Sequence, residues 1–323
     1  MPKLPYLIDV PVLMIFFVRP ETFQQVFNRV REARPSKLYL CQDGQRNNRP
    51  DDVDNIKKCR QIVENIDWEC EVHRNYSDIN LGCDPNVYRG LKWIFEHEDR
   101  MIMLEDDSVP ALSYFALCEQ LLEKYNNDTR VSLISSFNLV EKWDVPSDYF
   151  FTLAGTLSGC WSTWKRVWEE RDETLDFVKE KDFKRLFYNY YLPLSLAISD
   201  FNDFKRRNIQ FKMERMITSF EVLIGSARLL HNGLTIMPSK NMNCNIGMTA
   251  NATHGSATIK HLSKKLQKVF FMKVYELPCE IVHPRFMIPD IEFSKKISNI
   301  LGLNPFVSFL RKIEMKIRRI IYR

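Results

Sequence analysis

Residues 101–107 read Met-Ile-Met-Leu-Glu-Asp-Asp, so four apolar residues lead directly into three carboxylates. A short apolar run of this kind is typical of a strand that is buried on both faces. The acids Glu105, Asp106 and Asp107 would then lie at the edge of the sheet where open α/β folds bind ligands. Adjacent carboxylates repel one another, and Mg²⁺ or Mn²⁺ would neutralise them. A solvated acidic turn is the alternative.

The sequence on both sides of this run alternates between short apolar segments and segments of helical periodicity. We predict strands near residues 11–18, 37–41, 68–73, 101–104 and 131–135, with a helix between each pair. This order predicts an α/β fold with a mostly parallel, Rossmann-like sheet flanked by helices. Neither a dinucleotide-binding glycine motif nor a P-loop follows any of these strands. From residue 145 onward the pattern is less regular.

The composition is that of a globular protein. The chain has 323 residues, of which 45% are hydrophobic and 27% charged, and its net charge of +5 is too small to indicate nucleic acid as a partner. No signal peptide and no apolar run of transmembrane length is evident. The eight cysteines have irregular spacings and no CxxC pair, which favours reduced thiols. We therefore expect a cytoplasmic protein.

The last segment, Phe306–Arg323, is a basic amphipathic sequence. Its apolar residues recur at steps of three and four, and six lysines and arginines lie between them against a single acid, Glu314. Such a helix fits an anionic membrane surface, with the apolar side buried and the cations on lipid headgroups. A helix packed on the core or in a dimer interface is the alternative. The first interpretation predicts peripheral attachment to the inner face of the cell membrane.

Several ordered segments resemble a GT-A fold glycosyltransferase, in particular the inverting N-acetylglucosaminyltransferase I-like group and its bacterial relatives. The resemblance is carried by Phe16-Phe17-Val18-Arg19, by Cys41-Gln42-Asp43-Gly44, by Leu104-Glu105-Asp106-Asp107 followed by Pro110, and by Gly159-Cys160-Trp161. Most of it lies in residues 10–140. It implies an inverting, metal-dependent transferase that moves a sugar from a UDP-sugar to a glycan or lipid-linked acceptor in surface polysaccharide synthesis.

The resemblance also implies roles for residues of the first half. Asp107 would bind Mn²⁺ or Mg²⁺, which would stabilise the leaving nucleoside diphosphate. Asp106 would lie near the ribose and Glu105 near the donor sugar. Arg19 would contact the diphosphate, with a surface arginine beside Pro20 as the alternative. Asp43 would accept a hydrogen bond from the uracil N–H, with a plain Asp-Gly turn as the alternative.

Three residues of the second half complete the predicted site. By the same resemblance, aligned on Asn232-Gly233-Leu234, Glu221 would be the general base that deprotonates the acceptor, and its apolar neighbours Phe220 and Val222 would raise the pKa of its carboxyl. The Ser219-Phe220-Glu221 sequence departs from the Trp-Asp-like pair expected there, and a surface glutamate is the alternative. His254 would help to bind the metal, or is simply solvated. Trp161, after Gly159, would stack on the acceptor, or belong to the core.

The predicted organisation has three parts. Residues 1–140 form the nucleotide-sugar-binding half, residues 141–290 the acceptor-binding half of the same domain, and residues 291–323 the basic C-terminal segment. Two other functions stay open. One is a nucleotidyltransferase that makes a sugar nucleotide, although Arg19-Pro20-Glu21-Thr22 stands where such enzymes carry a glycine-rich phosphate loop. The other is a non-enzymatic membrane-binding protein that acts through the C-terminal helix.

Overall fold

The computed structural model describes residues 3–64, 66–155, 159–214, 219–248 and 259–321. Within these ranges the strands are β1 Val12–Phe16, β2 Lys37–Gln42, β3 Glu71–Tyr76, β4 Arg100–Glu105, β5 Ser108–Pro110, β6 Val131–Ser135, β7 Tyr149–Thr152, β8 Cys160–Trp164, β9 Leu234–Pro238 and β10 Asn243–Asn245. The helices are α1 Pro20–Ala33, α2 Asp51–Ile62, α3 Cys83–Phe95, α4 Leu112–Lys124, α5 Lys165–Glu169, α6 Phe183–Tyr190, α7 Leu194–Glu214, α8 Phe220–Leu230, α9 Lys264–Gln267, α10 Ile291–Leu301 and α11 Pro305–Ile321.

Eight of these strands form one sheet in the order β3-β2-β1-β4-β8-β6-β9-β7. The first four run parallel to one another, and β6 runs parallel to β9. Strand β8 is antiparallel to both of its neighbours, and β7 is antiparallel to β9. A separate antiparallel pair joins β5 to β10. The predicted α/β class, with a mostly parallel Rossmann-like sheet flanked by helices, is confirmed.

The central strands are buried on both faces, as their apolar sequences predict. In β1, Met14 and Phe16 belong to the core layer that includes α1 and α4, whereas Leu13 and Ile15 face the layer formed by α3 and α8. Strand β4 alternates in the same way. Helix α1 begins at Pro20 and ends at Ala33, and the following Arg34 takes a left-handed conformation ahead of Pro35. These layers fix the positions of the strand ends.

Two sequence-based expectations change. The predicted strand at 68–73 begins later, at Glu71, because Trp68 is fully buried and its indole N–H donates to the carbonyl of Pro35 at 2.9 Å. The second half is also more regular than expected, since β7, β8 and β9 complete the same sheet. In the described part of the chain, no helix is both long enough and apolar enough to cross a bilayer.

Candidate active site at the carboxyl edge of the sheet

The register of the parallel strands brings three polar segments to one edge. Ile15 of β1 pairs with Cys41 of β2 on one side and with Glu105 of β4 on the other. Because the chain leaves all three strands at this level, the segments that carry Arg19, Asp43 and the acidic triplet emerge side by side. The sequence predicted this edge as the ligand site.

Arg19 is held directly against the acidic triplet. Its guanidinium donates to Asp107 Oδ2 at 2.9 Å and to Asp106 Oδ1. Asp106 Oδ2 also accepts the main-chain N–H of Phe17 at 3.2 Å. Burial alone would lower the pKa of Arg19, but the charges of Asp106 and Asp107 outweigh it and raise the pKa. Arg19 is therefore a permanently charged group that lies beside two buried carboxylates.

Asp107 has one buried oxygen for which the described residues provide no partner. Its Oδ1 accepts no hydrogen bond from them, while Oδ2 is paired with Arg19. Gly247 lies against this carboxylate so closely that a Cβ there would be 2.0 Å from Oδ2. Burial, with a contribution from Asp106, raises the pKa of Asp107 in spite of the opposing charge of Arg19. An unpaired buried carboxylate oxygen of this kind is suited to a cation.

Two glutamates, Glu105 and Glu221, lie with Asp106 and Asp107 at this edge of the sheet, and the four acids together are called the acidic edge below. Burial raises the pKa of Glu105 well above its usual range, and Asp107 and Glu221 add to the effect. Glu221 stands in the first turn of α8, where its Oε2 accepts the Ser219 hydroxyl at 2.7 Å. Surrounding protein raises the pKa of Glu221 even though part of the residue is exposed. The structure thus brings Glu221 to the predicted site.

The main chain at Gly159 lies very close to Glu105 and to Ser108. Its carbonyl accepts the N–H of Glu105 at 2.7 Å, and its φ of +59° lies in the left-handed region. A Cβ at this position would be 2.0 Å from Ser108 Oγ and 3.3 Å from Glu105 Oε2. Only glycine fits this backbone conformation and this close approach together. In the sequence, Gly159 stands out only as the neighbour of Trp161, and no pattern of residues indicates this second role.

Trp161 itself lies in the core. It is fully buried, and its ring stacks on Phe220 with the centroids 6.0 Å apart. A side chain with no exposed face has no surface for a sugar to stack on, so the predicted acceptor contact does not fit this structure. His254, the predicted second metal ligand, lies outside the described residues.

The Asp43 carboxylate has hydrogen-bond partners other than the predicted uracil. Its two carboxylate oxygens accept four hydrogen bonds of 2.8–2.9 Å, from the main-chain N–H groups of Gly44, Leu81 and Gly82 and from the Asn80 side chain. Four donors use the acceptor capacity of a carboxylate, so no lone pair remains for a uracil N–H. We correct that prediction, because Asp43 fastens the segment that leads into α3.

A cavity of about 170 Å³ lies beside Glu221, between α7 and α8. Its polar lining includes Asp200, Asp203 and Arg228. Burial raises the pKa of Asp200 to about 6, although a hydrogen bond from Tyr191 and the charge of Arg228 act against it. A larger depression of about 480 Å³ lies between α1 and the end of α2, but none of the acidic triplet lines it.

The raised pKa of Asp200 predicts how stability depends on pH. Since the folded-state pKa of about 6 exceeds the ordinary value of 3.8, the folded chain binds the proton more tightly than the unfolded chain does. This contribution is fully present below the unfolded pKa and is lost as the pH rises through 6. Between about pH 4.5 and 7.5 the loss amounts to about 2 kcal/mol.

Urea unfolding of wild type and Asp200→Asn at both pH values measures this contribution. The variant is expected to gain about 2 kcal/mol relative to wild type as the pH rises. The exposed Asp78→Asn serves as the matched control and should track wild type. Parallel curves for wild type and Asp200→Asn would show that the pKa of Asp200 is close to its ordinary value in the folded chain.

The acidic edge is a candidate metal site with few protein ligands. Within the described ranges, no group of three or more His, Cys, Asp and Glu side chains is arranged to hold a metal ion. Mg²⁺, however, is commonly held by one or two carboxylates together with substrate phosphates rather than by an all-protein cage. The unpaired Oδ1 of Asp107 fits that mode. The residues present therefore suit a cation that arrives with a phosphorylated ligand.

No protein-family model and no curated protein sequence matches the chain. Solved structures do match. HddC from Yersinia pseudotuberculosis shares 10% identity over 49% of this chain and 78% of its own, with a TM-score of 0.31. An apo UDP-glucose pyrophosphorylase shares 8% over 73% and 93%, with a TM-score of 0.36. A putative glucose-1-phosphate thymidylyltransferase from Bacillus anthracis, in complex with a sucrose, shares 11% over 69% and 96%, with a TM-score of 0.29.

These matches correct the predicted function. Two of the named structures are a UDP-glucose pyrophosphorylase and a putative glucose-1-phosphate thymidylyltransferase, names that fit the nucleotidyltransferase alternative considered above, and none of the three is named as an N-acetylglucosaminyltransferase. The prediction of a glycosyltransferase that moves a sugar to a glycan or lipid-linked acceptor is therefore wrong.

Proposed function

We propose that the chain is an enzyme that acts on sugar nucleotides, and that its reaction is nucleotidyl transfer. A sugar phosphate oxygen would attack the α-phosphorus of a nucleoside triphosphate, the bond from that phosphorus to the bridging oxygen would break, and pyrophosphate would leave. The observation that carries this proposal is the contact of Arg19 with Asp106 and Asp107 at the carboxyl edge of the sheet. This arrangement combines a fixed cation with an unpaired carboxylate oxygen.

The charge balance of the site supports a phosphorylated ligand that binds with a cation. Glu105, Asp107 and Glu221 all have raised pKa values, because each charged form is disfavoured by burial and, for Glu105 and Asp107, also by neighbouring carboxylates. Four acids at one edge would repel a polyphosphate unless a cation lay between them. Mg²⁺ or Mn²⁺ held by Asp107 would neutralise the developing charge on the leaving pyrophosphate.

Arg19 takes the place of the missing glycine-rich loop. After β1 the chain turns directly into α1, whose N-terminus carries no side-chain cap. Main-chain N–H groups at a helix N-terminus favour anions, and Arg19 is the residue that directly precedes this helix. We propose that Arg19 contacts the polyphosphate, that Asp106 holds Arg19 in place and lies near the ribose, and that Glu105 lies near the sugar.

A general base is not required for this reaction. The attacking oxygen belongs to a phosphate that is already anionic at neutral pH, so catalysis depends on positioning and on electrostatic stabilisation. Glu221, which lines the cavity between α7 and α8, is then available to accept a hydrogen bond from a sugar hydroxyl. We propose that residues 1–140 bind the nucleotide and that residues 141–290 supply the contacts to the sugar phosphate.

Pyrophosphate release tests the proposal. Each nucleoside triphosphate is incubated with a set of sugar 1-phosphates, with Mg²⁺, with Mn²⁺ or with EDTA, and pyrophosphate is measured. We expect release that needs one particular triphosphate, one particular sugar phosphate and the metal together. Release from triphosphate alone, or no release with any pair, would contradict nucleotidyl transfer. Calorimetric binding of nucleotides with and without metal would then show whether the edge binds nucleotides at all.

A further inference from the structure

Helix α11 is docked on the protein through its charged side. Arg311 is 8% exposed, and its guanidinium donates to the carbonyl of Asn299 at 2.9 Å beside Gly302. Glu314 accepts the main-chain N–H of Lys264 at 2.9 Å and the guanidinium of Arg318 at 3.0 Å. An ordinary surface helix packs its apolar stripe on the core. Helix α11 does the reverse, since its charged side faces the protein and its apolar stripe faces outward.

The consequence is an exposed apolar face along the whole length of α11. Its residues are 41–75% exposed and comprise Phe306, Phe309, Leu310, Ile313, Ile317, Ile320 and Ile321. At 3.6 residues per turn they span about 120° of the helix circumference. A contiguous apolar patch of this length on a monomer marks an interaction surface.

Exposed cations border this apolar face. Lys312, Lys316 and Arg319 are exposed and lie along one edge of it, while the single acid of the helix, Glu314, is engaged on the docked side. The neighbouring helix α9 and its C-terminus add three more exposed lysines, Lys264, Lys265 and Lys268. An apolar face with a cationic border is complementary to anionic headgroups above acyl chains.

We propose that the exposed face of α11 binds an anionic lipid bilayer, with the helix axis parallel to the membrane surface. The apolar residues enter the boundary between headgroups and acyl chains, and the lysines and Arg319 contact lipid phosphates. The helix has 17 residues, or about 26 Å, and it lies on the membrane rather than across it. The charged contacts to Asn299, Lys264 and Lys260 hold the body of the protein against the bilayer.

Charge favours a bilayer over a second copy of the chain. In a two-fold pairing of α11 helices each cationic edge would meet the same helix of the partner, and α11 offers no exposed acid to pair with it. Like charges facing each other across an interface are unfavourable. Anionic lipid supplies the opposite charge. The proposal is independent of the reaction at the acidic edge.

Vesicle co-sedimentation of the full chain tests the proposal. Phosphatidylcholine vesicles are compared with vesicles that contain about 30 mol% phosphatidylglycerol, at low and at high salt. We expect the partition coefficient to be about tenfold or more higher on the anionic vesicles and to fall with salt, because the Debye length shortens. Equal binding to both vesicle types, or none to either, would overturn the proposal.

Paired variants locate the contact. Ile313→Ser with Ile317→Ser should lower the partition coefficient about tenfold or more, whereas Ile209→Ser, an equally exposed isoleucine on α7, should leave it unchanged.

Lys312→Glu with Lys316→Glu should remove the preference for anionic vesicles, and Lys57→Glu with Lys58→Glu on α2 is the charge control. All seven substituted side chains are exposed, so folding should persist by circular dichroism. If instead the isoleucine pair abolishes a dimer in analytical ultracentrifugation and wild type ignores vesicles, a second copy covers the face.

Discussion

Replacing Asp107 by asparagine is expected to lower the rate of pyrophosphate release by about 10²–10³-fold, the usual effect of removing one charge-stabilising group from an active site. The change keeps the size of the side chain but removes the charge that faces both Arg19 and the proposed cation. Steady-state assays over a range of Mg²⁺ concentrations measure it. Nucleotide binding followed by calorimetry should also lose its dependence on metal.

Two comparisons make this result specific. Asp54→Asn, on the exposed side of α2, is the matched control and should be as active as wild type. Because burial raises the pKa of Asp107, loss of its charge should not unfold the chain, and the thermal midpoint of Asp107→Asn should not fall. Full activity of the variant, with unchanged metal dependence, would show that the cation does not bind at the triplet.

Asp43→Asn should lower the free energy of unfolding by about 4 kcal/mol, because a buried donor without its acceptor costs about 1–3 kcal/mol. An amide has one acceptor oxygen in place of two, so half of the four donors on Asp43 lose their partner and face an N–H₂ group. The segment 80–82 that precedes α3 would be released. Urea unfolding followed by circular dichroism gives the value.

Asn80→Ala provides the graded comparison for Asp43→Asn. It removes only one of the four donors, and we expect a loss of about 1 kcal/mol. If Asp43 instead recognised a nucleobase, as the sequence predicted, Asp43→Asn would leave the unfolding free energy within about 1 kcal/mol of wild type and would alter the choice of nucleotide. The two measurements therefore separate a structural role from a recognition role.

The acidic edge was predictable from sequence for a simple geometric reason. A buried strand that ends in charged residues must release them at the rim of the sheet, and parallel strands release them at the same rim. Arg19, Asp106 and Asp107 accordingly meet. Glu221 was placed there only through a family resemblance, since its distance along the chain from the triplet leaves no local pattern to read.

Other site features depend on main-chain geometry that residue types do not encode. The Asp-Gly turn at Asp43 gives no sign of the N–H groups of residues 81 and 82 that converge on it. The Gly159-Cys160-Trp161 motif identifies an unusual segment but not which side chain faces outward, and the tryptophan faces the core. The amphipathic period of α11 was evident, yet only the packing shows that its charged side faces the protein.

Strand β8 carries a consequence for how the chain folds. It lies between β4 and β6, although it follows both of them in sequence. As the chain is synthesised, β4 and β6 emerge with a gap between them and with unpaired edges until residues 160–164 arrive to fill it. Such edges favour aggregation, and pairing across so long a stretch of sequence slows folding. A fragment that stops near residue 140 would lack both neighbours of β6, which are β8 and β9, and would leave one edge of β4 open where the intact chain has a continuous sheet.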